Sequence, residues 1–582
     1  MEWHIAAPDP ERQRALVTVL GITPVTAQIL LNRAIDSPEA AAAFLTPRLD
    51  HLHDPYRLPD MAPAVERLVR AVLGREAICC FGDYDTDGVT GTALAVRFFA
   101  VLGLTPRWYV PHRTRDGYGL TIAALERLLE TGPRPSLILT IDNGTGAHAA
   151  IAWANERGID VVVTDHHEVP EILPPAVAIV NPKRRDTEAS YPFPGLCGVG
   201  VCFKLCTAIR QRLRTMDYFR ERPEPNLARW LDLVMIGTIA DVVPLQGENR
   251  VLCTYGLKTL AATKNAGLTA LCRIAGVERA RATGRQIAFQ IAPRLNAAGR
   301  LGDAGLAVEL LTTDDTARAE ELAATLHALN AERQGIEEGI GRDVRALPET
   351  TAEETATVVA ASETWPAGVI GIVAGRIAQS CRKPTILISL QDGHGIGSAR
   401  GIGDFPLLAA IERCAEHLLR FGGHAKAAGI TIARDRIPAF RAAFEAAARA
   451  LLTPADRLPT VHIDAEVTPE EMTTQLVQEI ERLAPFGEGN PEPVLCTRNA
   501  GIKERRIVGG KHLKFAVHGD CLTVEAIGFA MGDHPERDAD RMDLAFTPEH
   551  NEWNGLRQVQ LKLKHLRACQ NPSGYHKSLR RC

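Results

Sequence analysis

The sequence predicts a multidomain α/β protein with a C-terminal all-β module, and three observations support this fold class. Short apolar runs alternate with amphipathic helical stretches between residues 77 and 180, and a smaller alternation spans residues 357–390. A long charged helical pattern separates these two regions, and from about residue 459 the pattern changes to short strands and turns. A chain of 582 residues is also too long for one hydrophobic core, so three or four domains are expected.

The larger alternating region predicts a parallel sheet that helices cover on both faces. Its predicted strands are apolar throughout, which is typical of strands buried on two sides. Ligands of such sheets bind beyond the carboxyl ends of the strands. The predicted strands are 77–81, 137–141, 161–164 and 176–180, and the predicted helices are 88–102, 121–130 and 146–157.

Weaker patterns predict the rest of the chain. Residues 1–50 carry helix-start signals, such as Asp36-Ser37-Pro38-Glu39, and residues 226–300 are mostly helical. From Asp314 to about Leu347 one apolar face indicates a helix of ~30 residues, roughly 45 Å long, which we expect to separate two domains. The remaining predictions are strands 357–361 and 385–390, helix 368–380, glycine-rich segments 395–401 and 421–429, and β-module strands 461–464, 493–497, 501–507, 513–517, 522–527 and 558–563.

Charge is distributed unevenly along the chain. The composition, 46% hydrophobic and 23% charged, is typical of a folded protein, and the net charge of −4 does not indicate a polyanionic partner. The C-terminal region is nevertheless basic, because no acid follows Glu552 and residues 498–514 hold six basic residues against Glu504. This charge suits a groove for a single nucleic-acid strand, although a merely structural barrel remains the alternative. The basic residues beyond Glu552 are Arg557, Lys562, Lys564, Arg567, Lys577, Arg580 and Arg581.

The cysteines and the N-terminus predict a cytoplasmic protein. Thirteen cysteines show no paired-ligand spacing, so buried free thiols in a reducing compartment are expected. The first residues have neither a basic nor an apolar segment of the kind found in signal peptides. No apolar run approaches 18 residues, so we expect no membrane span.

Three aspartates alternate directly after the first predicted strand. Asp83, Asp85 and Asp87 lie within five residues, without a lysine or arginine among them. Carboxylates that share a site repel each other, and one of them protonates unless a cation is present. The pattern therefore indicates a divalent metal at the end of the strand.

Other strand ends add further candidate ligands. Asp142 follows strand 137–141, Asp165-His166-His167 follows strand 161–164, and Asp241 follows an apolar run. Carboxylates and imidazoles without a thiolate suit Mn²⁺ or Mg²⁺, and this many ligands suggests two ions ~3.5–4 Å apart, with Asp142 as the candidate bridge. Such a centre hydrolyses phosphoesters or phosphoanhydrides. Taken alone, Asp142 could be a helix N-cap and His167 a structural histidine, but three strand ends carry the set.

The same residues resemble the motifs of the DHH phosphoesterase superfamily. The second α/β unit is similar to its DHHA1 partner domain, through Gly397-Ser398-Ala399-Arg400 and Gly422-Gly423-His424. The segments 294–300 and 485–493 resemble the connector and the OB-domain entry of the bacterial single-strand-specific exonucleases in this superfamily. The four ordered motifs are Asp-Tyr-Asp-Thr-Asp-Gly, Ile-Asp-Asn-Gly, Thr-Asp-His-His-Glu and Ala-Asp-Val-Val-Pro-Leu.

The resemblance implies a domain order. The expected units are an N-terminal helical segment (1–50), a parallel-sheet DHH catalytic domain (51–300), a long connecting helix (301–347), a smaller α/β DHHA1 domain (348–456), an OB-type barrel (457–570) and a flexible tail (571–582).

The resemblance also implies roles for the candidate site residues. Small-substrate members carry a histidine where this chain has Phe81, so Phe81 favours the exonuclease branch and leaves the role of Asp83 open. His166 is expected to bind metal, and His167 to contact the scissile phosphate. The expected metal ligands are Asp83, Asp85, Asp87, Asp142, Asp165, His166 and Asp241, and the expected catalytic residues are Asp85, Asp87, Asp142, His166, His167 and Asp241.

Several cationic and polar residues are expected to contact DNA. Arg400 and Ser398, on a glycine-rich loop, can cradle a phosphate, and His424 would face the same cleft. The alternative for these three residues is a solvated turn. Five further residues are candidates for DNA contact, with surface ion pairing as the alternative: Arg113, Tyr118, Arg294, Asn296 and Arg300.

The resemblance implies a metal-dependent 5′→3′ exonuclease that degrades single-stranded DNA to mononucleotides in recombination and repair. A single-strand-binding protein and a helicase are candidate partners, and a monomer is expected. One alternative is a DHH phosphodiesterase for short oligonucleotides, cyclic dinucleotides or pyrophosphate, against which Phe81 and the β-module argue. The other is a non-catalytic DNA-binding scaffold, against which the complete set of carboxylates argues.

Overall fold

A computed structural model of the chain describes residues 1–113, 115–186, 191–391, 393–519, 522–553 and 556–569. The tail predicted for 571–582 lies outside these residues. In the described part, no single helix is long and apolar enough to cross a membrane. The helices Pro10–Leu20 and Pro24–Asn32 meet the criteria of length and composition only as a pair, and this pair is bent by 115°.

The N-terminal segment packs on the C-terminal β-module. Its helices begin at prolines that follow the capping residues Asp9, Thr23 and Ser37. They share one hydrophobic core with the β-module. The first strand, which the sequence analysis missed, pairs in parallel with Thr460–Ile463. The elements are β1 (Glu2–Ile5), α1 (Pro10–Leu20), α2 (Pro24–Asn32) and α3 (Pro38–Leu45).

The first α/β unit contains the predicted parallel sheet, with strand order β3-β2-β4-β5-β6. Separate hydrophobic cores cover its two faces. The edge strand β3 was missed because Arg107–Tyr109 is too short and polar to form an apolar run. The elements are α4 (Met61–Gly74), β2 (Ile78–Gly82), α5 (Thr86–Val101), β3 (Arg107–Tyr109), α6 (Ile122–Glu130), β4 (Leu137–Ile141), α7 (His148–Glu156), β5 (Asp160–Thr164) and β6 (Ala178–Val180).

A helical layer follows and ends in the long helix that the sequence predicted. This helix, α15, has 30 residues and packs on α11, α13 and α14 of this layer. The elements are α8 (Gly198–Thr215), α9 (Leu231–Ala240), α10 (Gly247–Ala261), α11 (Ala266–Ile274), α12 (Gly284–Gln286), a π-helix (Ile287–Ile291), α13 (Ala292–Leu301), α14 (Gly305–Thr312) and α15 (Thr316–Arg345).

The second α/β unit has a mixed sheet of order β10-β11-β9-β8-β7, in which only β7 and β8 are parallel. Ser398 and Arg400 were expected on a glycine-rich loop, and this was wrong, because the segment 395–401 lies mostly in strand β9; the segment 421–429 forms β10, a turn at 424–426 and the start of β11. A Cβ at Gly395 would lie 2.5 Å from Ile388 Cγ2, so the glycine serves sheet packing. The elements are α16 (Pro348–Thr351), β7 (Val358–Ser362), α17 (Ala367–Cys381), β8 (Thr385–Gln391), β9 (His394–Arg400), α18 (Leu407–Glu412), β10 (Arg420–Gly423), β11 (Ala427–Ala433), α19 (Ile437–Leu451) and α20 (Pro454–Arg457).

The β-module is a closed five-stranded barrel, β14-β15-β16-β18-β17, in which β17 pairs with β14. The predicted strands 493–497 and 501–507 are one strand, β14, which has an irregularity between Thr497 and Ala500. The strand β17 was missed. The elements are β12 (Thr460–Ile463), β13 (Ala465–Glu466), α21 (Thr474–Arg482), β14 (Leu495–Val508), β15 (His512–His518), β16 (Thr523–Gly528), β17 (Arg541–Trp553) and β18 (Leu556–Ala568).

Candidate metal centre

The candidate site lies where three adjacent parallel strands end. The strands β2, β4 and β5 pair directly, and they are followed by the segment 83–87, by Asp142 and by the segment 165–167. Asp241 approaches from a different element, because it caps the C-terminus of the apolar helix α9. The topology therefore brings residues from four separate parts of the sequence to one sheet edge.

His166 lies at the centre of the cluster. Its Nε2 atom is 3.1 Å from Asp142 Oδ1, 3.5 Å from Asp241 Oδ2 and 3.9 Å from Asp87 Oδ2. His166 Nε2, Asp142 Oδ1 and Asp241 Oδ2 are all buried, and none has a hydrogen-bond partner among the described residues. Leaving three buried polar atoms unpaired is costly, and a cation between them would satisfy all three. The donor set therefore fits a divalent metal.

A second group of ligand atoms adjoins the first. Oxygens of Asp83, Asp85 and Asp142 lie within 4.8 Å of one another, as do the candidate ligand atoms of Asp87, His166 and Asp241. Asp142 also lies close to His166, so it stands between the two groups. Its backbone φ of 64° is left-handed, a conformation that aspartate adopts more readily than most residues.

The pKa values of these carboxyl groups reflect burial and mutual repulsion. Burial, followed by the neighbouring carboxylates, raises the pKa of Asp87 to about 7 and that of Asp241 to about 9. The same causes hold the pKa values of Asp83 and Asp142 well above the usual range. Without a cation the cluster would retain protons at neutral pH, so a divalent metal is the natural counter-charge.

Asp165 does not join these ligand groups. Its carboxylate accepts hydrogen bonds from the backbone N–H groups of Thr145, His166 and His167 and contacts His167 Nδ1 at 2.7 Å. Although burial opposes it, the hydrogen bond with His167 holds the pKa of Asp165 well below its usual range. The geometry is that of a residue that orients His167, whereas the sequence analysis expected a metal ligand.

The two histidines of the motif have different environments. Burial and the charge of His167 lower the pKa of His166 to about 4, which keeps its imidazole neutral and suited to a metal. Burial alone would lower the pKa of His167, but Asp165 outweighs it and raises this pKa to about 9. His167 is half-exposed, and its Nε2 atom lies 2.9 Å from the Tyr118 hydroxyl.

The first motif is anchored from several sides. Asp85 caps helix α5 by accepting from Gly88 N at 3.1 Å. Asn296 accepts from Thr86 N at 2.8 Å, so it holds this loop in addition to the expected role in DNA contact. Phe81 is fully buried and stacks on Tyr109 at a centroid distance of 5.4 Å, so this position offers no ligand.

A cavity of about 220 Å³ opens beside Asp83 and Asp85. Arg113, Tyr118, Asn296 and Arg300 line it, so four of the five predicted residues of this group are brought together. Arg294 is not in this lining, because it donates to His327 Nδ1 and to the Gln290 carbonyl. Tyr84 also lines the cavity, and the Arg113 guanidinium lies 5.0 Å from its ring centroid. Tyr84 was not among the predicted site residues, although it lies inside the first motif.

The second α/β unit faces this region. Arg300, on helix α13 of the helical layer, connects this layer to the second unit by donating to the Gly368 carbonyl in the first turn of helix α17. Arg400 donates to Ser398 Oγ at 2.9 Å, and a Cβ at Gly371 of α17 would lie 2.8 Å from that hydroxyl oxygen. Arg400 and Ser398 are therefore on strand β9, next to Gly371 of helix α17, which has no side chain.

His424 is the most exposed of the predicted residues in the second unit. It follows the edge strand β10, and its backbone N–H donates to the Ala427 carbonyl. The Lys183 ion pair and, to a smaller extent, the charge of His424 lower the pKa of Glu168, which directly follows His167. His424 is therefore close enough to Glu168 for their charges to interact.

Family models match most of the chain. Residues 77–238 match the DHH family N-terminal domain, residues 354–450 the DHHA1 domain, and residues 463–565 the RecJ OB domain. These three matches follow the order of the first α/β unit, the second unit and the β-module.

Known proteins resemble the chain over most of its length. The single-stranded-DNA-specific exonuclease RecJ of Dickeya dadantii is 38% identical over 88% of this chain and 91% of the relative. The Escherichia coli protein of the same name is 36% identical over 87% and 90%. The crystal structure of Thermus thermophilus RecJ with Mn²⁺ matches with a TM-score of 0.82 and 32% identity, over 98% of this chain and 80% of that structure. The chain therefore belongs to the RecJ family.

Proposed function

We propose that this protein is a metal-dependent exonuclease that degrades single-stranded DNA from the 5′ end and releases mononucleotides. The observation that carries the proposal is the set of buried, unpaired ligand atoms on Asp142, His166 and Asp241. They lie at a sheet edge near the second unit, in which Ser398, Arg400 and His424 are the proposed phosphate-binding residues. Relatives named as single-stranded-DNA-specific exonucleases support the same substrate.

The proposed centre holds Mn²⁺ or Mg²⁺. Asp87, His166 and Asp241 would hold one ion, Asp83 and Asp85 a second, and Asp142 would contact both. When bound, such ions polarise a phosphoryl group and lower the pKa of a coordinated water. Solved relatives with Mn²⁺ and with Mg²⁺ support this choice of metals.

The protein's own residues would bind and orient the strand. In the metal-free protein Asp165 raises the pKa of His167 to about 9, which favours a positively charged imidazole at neutral pH. It would hold an oxygen of the scissile phosphate, with Tyr118 fixing its ring. Arg113 and Arg300 would bind phosphates from the cavity beside the first motif.

The direction of degradation would follow from a proposed terminal-phosphate site in the second unit. Arg400 and Ser398 can bind a 5′ phosphate, with His424 at the same cleft. Burial lowers the pKa of Arg400, and a phosphate dianion would compensate for that burial. Anchoring the terminal phosphate opposite the metal centre would place the first internucleotide bond at the metals, and the product would be a mononucleotide.

The cellular setting is part of the proposal. Such an enzyme would act as a monomer in the bacterial cytoplasm, on strands that a helicase exposes and a single-strand-binding protein covers. Buried free thiols, among them Cys79, Cys80, Cys202 and Cys206, suit that reducing compartment.

Digestion of long single strands labelled at the 5′ or the 3′ end tests the proposal. With Mn²⁺ or Mg²⁺ we expect the 5′ label to appear at once as a mononucleotide, whereas the 3′ label stays on a shortening strand. A chelator should stop the reaction, and duplex DNA should resist. Cleavage of a dinucleotide without cleavage of the long strand, or early release of the 3′ label, would contradict the proposal.

A further inference from the structure

Helix α8 begins directly against the carboxylate of Asp87. The backbone N–H groups of Gly198 and Val199 donate to Asp87 Oδ2 and Oδ1 at 2.6 and 2.8 Å. The thiol of Cys197 lies 3.3 Å from Thr238 Oγ1, so the carboxylate is held by the two backbone N–H groups. Both oxygens of a candidate metal ligand are therefore held by the first residues of a helix of 18 residues.

This contact differs from ordinary helix capping. The N-cap residue usually supplies its own side chain to the N–H groups of the first turn, and Ser, Thr, Asp and Asn are the usual choices. Here the N-cap residue is Cys197, which makes no capping hydrogen bond. The N–H groups of Gly198 and Val199, at the start of helix α8, therefore donate to Asp87, which lies 111 residues before Gly198 in the chain. The positive end of the helix dipole thus acts on the metal centre.

Gly198 also contacts the second carboxylate of the centre. A Cβ atom at this position would lie 2.4 Å from Asp142 Cβ and 2.6 Å from Asp142 Oδ1. On the other side of Asp87, a Cβ at Gly237 of helix α9 would lie 2.9 Å from Asp87 Oδ1. Because Gly198 and Gly237 have no side chains, there is space for the carboxylates of Asp87 and Asp142 at this site.

We propose that the N-terminus of α8, residues 197–199, is a positioning element of the metal centre. It fixes Asp87 through hydrogen bonds. It also leaves space for the Asp142 side chain, because Gly198 has no Cβ atom. The carboxylates of Asp87 and Asp142 repel each other, so a fixed scaffold reduces the cost of holding them ready for a cation. The inference rests on the proposed metal site but not on the proposed substrate.

The substitution Gly198→Ala tests the positioning role in the full-length chain. The added methyl group must displace Asp142, so we expect Mn²⁺ affinity, measured by calorimetry on metal-free protein, to fall by about 10-fold or more. Gly200→Ala is the matched control in the same helical turn, because its Cβ would lie 3.4 Å from its nearest neighbour, Leu196 Cδ2, an ordinary contact. The control should bind Mn²⁺ within about twofold of the original chain.

Thermal unfolding of the metal-free variants separates positioning from general damage. Both alanine variants should unfold within a few degrees of the original chain. Should Gly198→Ala fail to fold, Val199→Pro decides, because proline is tolerated in the first turn of a helix but lacks the N–H group that donates to Asp87 Oδ1. This variant should weaken Mn²⁺ binding by a few fold. Unchanged affinity in Gly198→Ala, or equal losses in Gly198→Ala and Gly200→Ala, would overturn the proposal. Failure of the original chain to digest DNA would leave this Mn²⁺ comparison intact.

Discussion

Three carboxyl groups surround the imidazole of His166; they belong to Asp87, Asp142 and Asp241. The site is buried, so water screens the repulsion between these charges poorly. Burial and repulsion raise all three pKa values, with Asp87 at about 7 and Asp241 at about 9. The metal-free fold therefore retains protons that the unfolded chain releases near pH 4. A metal ion replaces those protons, so metal binding and folding are coupled through the same residues.

The metal-free protein should lose stability as the pH rises from about 6.5 to 9. In this window the folded state binds more protons than the unfolded state, through Asp87, Asp241 and His167, so the free energy of unfolding falls with pH. The loss should be on the order of several kcal/mol. Thermal unfolding in chelator at both pH values measures it, and saturating Mn²⁺ should reduce the difference. Equal stability at both pH values without metal would contradict these pKa values.

Asp142→Ala should abolish hydrolysis while single-strand binding survives. Asp142 stands between the two ligand groups, so its loss removes a contact from each proposed ion. We expect turnover to fall by roughly 10³-fold or more, whereas affinity for a labelled strand stays within a few fold. Turnover assays and fluorescence anisotropy measure the two effects. An active Asp142→Ala variant would remove this residue from the centre.

The substitution Asp165→Asn tests whether Asp165 orients His167 or binds the metal. The Asp165 carboxylate binds backbone N–H groups and His167, so we expect Mn²⁺ affinity to stay within about threefold, whereas turnover falls roughly 10- to 100-fold. The cause is loss of the charge and orientation of His167. Calorimetry with Mn²⁺ beside turnover assays measures both quantities. A loss of Mn²⁺ affinity as large as that of Asp142→Ala would make Asp165 a ligand.

Residue spacing predicted the cluster but not every role within it. Asp83, Asp85, Asp142 and His166 follow strand ends, and parallel strands bring their ends to one edge. The position of Asp165 gave no sign of its partners, because its hydrogen bonds depend on the turn that follows β5. The contact between Asp87 and helix α8 could not be predicted either, because 111 residues separate Asp87 from Gly198 in the sequence.

At the scale of elements, continuity of apolar character decided which strands could be predicted. The predicted strand 137–141 coincides with β4, because all five residues are buried. Strand β17 was missed because charged residues and Pro548 interrupt its alternation. The glycines of β9 look like loop residues in sequence, but they make room for side chains of neighbouring strands.

The basic charge of the β-module is largely paired within the module or with its neighbouring helix. Arg506 and Lys514 both contact Glu525, and Lys564 contacts Glu492. A count along the sequence could not detect these pairs, because the acids lie on neighbouring strands or in the preceding loop. The module therefore offers a nucleic-acid strand fewer uncompensated cations than the sequence suggests.

Glu525→Gln should strengthen single-strand binding. The change frees Arg506 and Lys514, and two more cations on the strand would steepen the salt dependence of log K by about 1.4. We expect affinity at low salt to rise roughly threefold or more. Anisotropy titrations over a range of salt concentrations measure both effects. Glu504→Gln, an equal charge change at an exposed residue, is the control, and an identical response of both variants would show that net charge alone is responsible.

At the scale of the whole molecule, Arg250 joins three parts of the chain. It lies on helix α10 of the helical layer, is almost fully buried, and donates to the carbonyls of Phe44, Arg482 and Leu483. Those carbonyls end α3 of the N-terminal segment and α21 of the β-module. A cation at two helix C-termini satisfies groups that lack intrahelical partners and suits the negative end of each dipole. The β-module is thereby held against the unit that carries the metal centre.

Arg250→Met should loosen this assembly without damaging the metal centre. Three buried carbonyls would lose their donor, at a cost of about 1–3 kcal/mol each, so the unfolding temperature should fall by several degrees. Affinity for a long strand should fall several fold, because the β-module no longer holds a fixed position, whereas Mn²⁺ affinity stays unchanged. Proteolysis should begin in the connection between the end of helix α3 at Leu45 and the start of helix α4 at Met61. Lys258→Met, an exposed position on the same helix, is the control, and equal behaviour of the two variants would show that Arg250 does not join the parts.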